Sequence, residues 1–129
     1  MKIVEQIKSL IKAANETDSV RDLIEINMKI NGYLVFMCEL ESSALNDKLA
    51  AYNERKEFEA MYTVKFDGGV TRGEKEAIAA SKKQRGLEIA TEVTYQKMRG
   101  FRTQVNEFCQ ALTQKIANLR REIETSKLN

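Results

Sequence analysis

The sequence predicts an all-α protein: a long antiparallel helical hairpin with a short N-terminal helix, its core completed by oligomerisation. Three observations carry this reading. No proline occurs in the 129 residues, so nothing interrupts a helix by removing a backbone donor. Apolar residues recur at spacings of three and four along most of the chain, the period of a helix and not of a strand. A single glycine-rich stretch, Phe66-Asp67-Gly68-Gly69-Val70-Thr71-Arg72-Gly73-Glu74, separates two such runs. Paired glycines reach backbone conformations that cost other residues free energy, and Thr71 and Glu74 stand at the spacing of a capping box.

The first element is a short helix over about residues 2–14, with Ile3, Ile7, Leu10 and Ile11 on one face. A helix of that length is marginal alone and must dock on a neighbour. Asn15-Glu16-Thr17-Asp18-Ser19 then breaks the period and offers several N-cap side chains. A long helix follows over about 20–66, its apolar line passing through Leu23, Ile26, Ile30, Leu34, Met37, Ala44, Leu45, Leu49, Tyr52, Phe58 and Met61. Gly32 interrupts it, and implies either a close approach of another backbone or a bend.

After a turn at 67–71, one further helix is expected over about 72–126. Its seam runs through Leu87, Thr91, Thr94, Met98, Phe101, Val105, Phe108, Leu112, Ile116, Leu119 and Ile123. Alternating fours and threes mark a coiled-coil seam, with a small stutter at Phe108-Leu112-Ile116. If the turn is centred near Gly69, residue i lies roughly opposite residue 138 − i, which sets Tyr52 against Gly86. The end of the last helix then passes the linker near Thr17 and gives the first helix its docking surface. The whole chain reads as a single helical domain.

Hydrophobic residues are 43% and charged residues 31%, enough apolar material for a stripe and too little to bury a globule on all sides. Surplus apolar positions in Tyr33–Met37 and at Ile89, Val93 and Phe101 point to a second copy that completes the core. The longest apolar run is far too short to cross a bilayer, and the N-terminus lacks a signal peptide's apolar region. A cytoplasmic protein with no membrane association is expected. Residues 1–60 hold 8 Lys+Arg against 11 Asp+Glu and residues 61–129 hold 13 against 8, so the arms differ in sign.

An enzyme is not expected, nor a cofactor or a metal. Histidine and tryptophan are absent, no phosphate-cradling motif follows a strand, and acidic pairs such as Glu57/Glu59 fall on different helix faces. Cys38 and Cys109 read as small buried hydrophobes. The candidate site is basic. Arg55 and Lys56 fall at the level of Lys82, Lys83 and Arg85, with Lys65, Arg72 and Lys75 nearer the tip. Like charge gathered at one height suits a phosphate backbone, and Tyr52 and Tyr62 are near enough to stack on unpaired bases. Glu54, Glu57, Glu59, Glu74 and Glu76 lie among them, and a solvated, neutralised surface is the competing reading.

These residues resemble a class of small bacteriophage α-helical-hairpin proteins. The shared pattern is Tyr52, Arg55, Lys56, Phe58 and Ala60 before the turn, then Tyr95, Met98, Arg99, Phe101, Val105, Asn106, Phe108, Ile116, Leu119 and Arg120 after it, covering roughly residues 45–121. Within that class the chain is similar to the phage recombination mediators. The resemblance implies an oligomer in the host cytoplasm that binds single-stranded DNA and helps load a strand-exchange protein, with Arg55 and Lys56 on the DNA side. The mediators carry further basic residues where this chain has Ala60 and Tyr62. Two other functions fit the same hairpin: a protein–protein inhibitor of a host defence complex, and a coiled-coil oligomer whose role is structural.

Overall fold

The computed structural model describes residues 2–65 and 70–128, without the side chains of Lys65, Val70 and Thr71. The expected tip at Phe66-Asp67-Gly68-Gly69 and the Thr71 half of the capping box lie outside the described residues. Among the described residues four helices follow one another: α1 (Lys2–Asn15), α2 (Val20–Lys65), α3 (Val70–Ala80) and α4 (Lys82–Leu128). No strand occurs among the described residues, and α2 packs antiparallel to α4 as a helical hairpin. No helix among them is long and apolar enough to cross a membrane.

Where one helix is expected over about 72–126, the structure has two, divided at Ser81. The division is slight, because Ser81 N–H still bonds Ala77 O at 2.9 Å and Arg85 N–H bonds Ser81 O at 2.9 Å. Its cause is the buried Ser81 hydroxyl, which lies 3.1 Å from Ile78 O and 2.6 Å from a carboxylate oxygen of Glu59 on α2. A serine engaged in this way distorts the turn that holds it.

The chain divides into two compact units. One comprises the residues up to Glu39 together with those from Gly100 onward; the other is Leu40–Arg99. In the first, α2 presents Leu23, Ile30 and Met37, seven residues apart, and α4 presents Val105, Cys109, Leu112 and Ile116 at spacings of four, three and four. All are buried, and each large aliphatic side chain contributes about 1.5–3 kcal/mol. The seam passes through Cys109 and not through Phe108, so the expected stutter is absent; Phe108 packs at its edge. Ala14 of α1 joins Leu23, Leu112 and Ile116 in one cluster, which docks the short helix. Lys115 reaches back to Thr17 O at 3.4 Å and to Asp18 at 3.7 Å. Ser19 caps α2 by accepting the Asp22 N–H at 3.3 Å.

The second unit has the same helical spacing with different side chains. Its buried positions are Ala44 and Ala51 on α2, Gly73 and Ala77 on α3, and Ser81. The line continues on α4 through half-buried Gln84, Glu88, Thr91, Tyr95 and Met98, again at alternating threes and fours. The large apolar residues expected in the seam, Leu49, Tyr52, Met61 and Leu87, lie exposed instead, as does Thr94. Small inward residues bring the two helices together, and the bulky ones are turned outward. A Cβ built on Gly32, Gly86 or Gly100 meets nothing within 4 Å, so no close approach within the chain explains these glycines. Tyr52 therefore does not pack over Gly86.

Candidate functional site

With alanine and serine along the inward line of Leu40–Arg99, the next polar side chains on that line are drawn into the gap. Arg55 follows Ala51 by one turn and arrives with its side chain 12% exposed. Its Nε–H donates to the Glu88 carboxylate on α4, and Nη1 donates to Glu59 at 3.0 Å. Glu59 also accepts the Ser81 hydroxyl at 2.6 Å and Arg85 Nη2 at 2.7 Å. Arg85 Nε–H closes the ring by donating to Ser81 Oγ at 3.3 Å. Two guanidiniums, two carboxylates and one hydroxyl thus form a neutral network between α2 and α4. Two turns before Arg55 on α2, Lys48 pairs with Glu92 at 2.7 Å, and Glu92 also accepts from Gln96 at 3.0 Å.

The electrostatics follow from these contacts. Burial opposes the charge on Glu59, but hydrogen bonds from Ser81 and Arg85 and the charges of Arg85 and Arg55 outweigh it, holding the carboxyl below its ordinary value. The hydrogen bond to Glu88 is the main influence on Arg55 and raises its pKa against the opposing effect of burial. Glu92 is held low chiefly by its hydrogen bond from Lys48, then by that from Gln96. Lys48 opposite Glu92 and Asn27 opposite Thr113 set residue i roughly opposite residue 140 − i, about half a turn from the register expected of the sequence.

The expected basic level is sorted by this arrangement. Arg55 and Arg85 do meet, but through Glu59, with their charge compensated inside the hairpin. Lys56 and, on α4, Lys82 and Lys83 are exposed. So is Lys75 on α3, and none of these four lysines has a carboxylate within ion-pair distance among the described residues. Arg72 is exposed on α3, and the Lys65 side chain lies outside the described residues. Tyr52 carries Arg55 and Lys56 over its ring, at 5.3 and 5.6 Å from the centroid. Tyr62 is stacked on Phe58, with centroids 6.3 Å apart. Neither tyrosine is an open platform for a base.

Beside the network runs a groove of about 630 Å³. It is lined by Leu49, Tyr52, Ile89 and Val93, with Lys48 and Arg55 of α2 and Arg85, Glu88 and Glu92 of α4. A second groove of about 610 Å³ shares Arg55 and Arg85 with it and continues toward Lys56, Ala60, Glu74 and Ile78. Glu88 and Ser81 are missed by a search for basic residues, as is the central role of Glu59. Their signal is present in the sequence: Arg55 and Glu59 are four apart on one face, and Ser81 and Glu88 share the heptad line of Ala77. No group of three metal-ligating side chains converges among the described residues. Cys109 is buried, which pushes its thiol pKa up, whereas Cys38 is exposed. Neither a family model, nor a curated protein, nor a solved structure matches the chain.

Proposed function

We propose that this chain is a non-enzymatic accessory protein that assembles with copies of itself and binds single-stranded DNA, in the manner of the phage recombination mediators its sequence resembles. One observation supports the DNA reading: the cations of this region fall into two sets. Arg55 and Arg85 are held by carboxylates inside the hairpin, while Lys56, Lys75, Lys82 and Lys83 face solvent without such partners among the described residues. A lysine is a mobile point charge on a long stem, suited to sequence-independent contact with phosphates. Binding of this kind draws its free energy from counterion release and weakens steeply with salt.

Four phosphate contacts give a slope of log affinity against log salt of about −3 for a single strand. Fluorescence anisotropy with a labelled oligonucleotide measures it. Lys82→Glu with Lys83→Glu is expected to weaken binding and flatten the slope by about half. Absence of binding at low salt refutes the DNA reading. The apolar groove beside the network favours a second reading, a module that caps a partner complex. Salt-insensitive co-purification with a host complex, lost on Ile89→Asp, is its signature.

A further inference from the structure

We infer that Arg85 is a latent phosphate ligand of the strand-binding surface, held by the Glu59 carboxylate until a phosphate takes its place. The inference rests on the DNA half of the proposed function and adds a control to it. The two arginines of the network are not equally held. Arg55 donates to two carboxylates, Glu88 and Glu59, and its side chain is 12% exposed. Arg85 reaches one carboxylate among the described residues, through Nη2 at 2.7 Å, and its side chain is 40% exposed. Its other bond, from Nε–H to Ser81 Oγ, is long at 3.3 Å. A guanidinium carries more N–H donors than these contacts use, so part of the Arg85 fork is without a partner among the described residues.

Release of Arg85 strands no charge. Glu59 keeps the Arg55 guanidinium at 3.0 Å and the Ser81 hydroxyl at 2.6 Å. Breaking a buried pair is costly when it leaves one partner uncompensated, and a phosphate that receives the arginine leaves neither so. Arg55 is not releasable in this way, because Glu88 has no other cation within ion-pair distance among the described residues. The exchange is also matched in shape: a phosphate offers the guanidinium the same two-oxygen edge as a carboxylate.

The neighbours of Arg85 bring the phosphate to it. Lys82 precedes it by three residues and shares its side of α4. Lys56 lines the same groove of about 610 Å³ as Arg85. Both lysines are exposed, with no carboxylate within ion-pair distance among the described residues. A strand held by Lys56 and Lys82 passes the Arg85 guanidinium, where its phosphate and Glu59 compete. In the free protein the carboxylate masks this charge. In the complex the surface gains a forked contact beyond the point charges of the lysines. Glu59 thereby limits the affinity of the surface, a role separate from holding the helices together.

The test is fluorescence anisotropy on the full chain with a labelled thymidine oligonucleotide, between about 50 and 200 mM salt. Glu59→Gln keeps an acceptor for Ser81 and removes the competing charge. It is expected to bind about fivefold more tightly at the low end, with a slope steeper than the wild type by about 0.7. Glu57→Gln makes the same change of net charge at an exposed carboxylate and is expected to leave the slope as it is. In Glu59→Gln with Arg85→Gln the gain is expected to vanish. Circular dichroism melts confirm that each variant is folded at the assay temperature. A second readout needs no variant: in nitrogen–proton NMR of the wild type, the Arg85 Nε–H signal is expected to move on saturation with oligonucleotide, and that of Arg55 to move less. A Glu59→Gln variant without the steeper slope, a gain matched by Glu57→Gln or kept in the double variant, or an Arg85 signal that stays in place overturns the inference and leaves the DNA reading standing. No binding by any of these proteins at low salt overturns both.

Discussion

Glu59 takes donors from Arg55, Ser81 and Arg85, and this one carboxylate joins α2 to Ser81 and α4. Because its folded pKa lies below the ordinary 4.5, the charged form contributes stability above that value and loses it as pH falls through the lower folded value. The melting temperature is therefore expected to drop on acidification from about pH 5 to about pH 3. Glu59→Gln should start lower at neutral pH and show a shallower acid slope, followed by circular dichroism melts. Glu92→Gln should alter the slope less, because Glu92 is more exposed and its pair is screened. Equal slopes in the wild type and Glu59→Gln refute the assignment. At Gln84 the sign reverses. Its side-chain oxygen is buried without a hydrogen-bond partner among the described residues, so Gln84→Met is expected to raise stability by about 1 kcal/mol in a urea titration.

At the scale of the helices, the two units ask opposite things of similar positions. Leu112 fills a core of large side chains, and Leu112→Ala is expected to cost about 2–5 kcal/mol through lost burial and the cavity left behind. Ala51 sits on a line of alanine and serine, so Ala51→Leu is expected to cost about 1–3 kcal/mol by forcing α2 and α4 apart. Urea titration of both variants checks the pair; a stabilising Ala51→Leu means the seam of that unit is loose. The contrast also explains what could be read without coordinates. The absence of proline, the three-and-four spacing and the linker near Thr17 were enough for the hairpin and the docking of α1. Large apolar residues mark the seam where they are buried, at Leu23, Ile30 and Leu112. Between Leu40 and Arg99 the expected Ala44, Thr91 and Met98 do lie on it, but Ala51 and Ser81 carry it where Leu49, Tyr52 and Leu87 are expected, and those large residues mark the outer face. Arg55 and Arg85 are expected at one level and do meet through Glu59, but level carries no azimuth. Whether Arg55 faces solvent or Glu88 depends on which side of α2 is inward, and the misread seam hid that.

For the molecule as a whole, the division of labour between the units sets where it opens first. The unit built on Ile30, Met37, Val105 and Leu112 holds its helices by aliphatic burial, which needs no partner. Leu40–Arg99 holds its helices by small residues and an ionic network, and breaking one ion pair of such a network exposes the rest. Local stability follows buried apolar contact, so amides of Leu40–Arg99 are expected to exchange about tenfold or more faster than those flanking Ile30 and Leu112 in a dilute sample. Hydrogen exchange followed by mass spectrometry checks this on peptides around Leu49–Tyr52 and Gly86–Val93 against those around Ile30 and Leu112, and equal rates in the two units refute it.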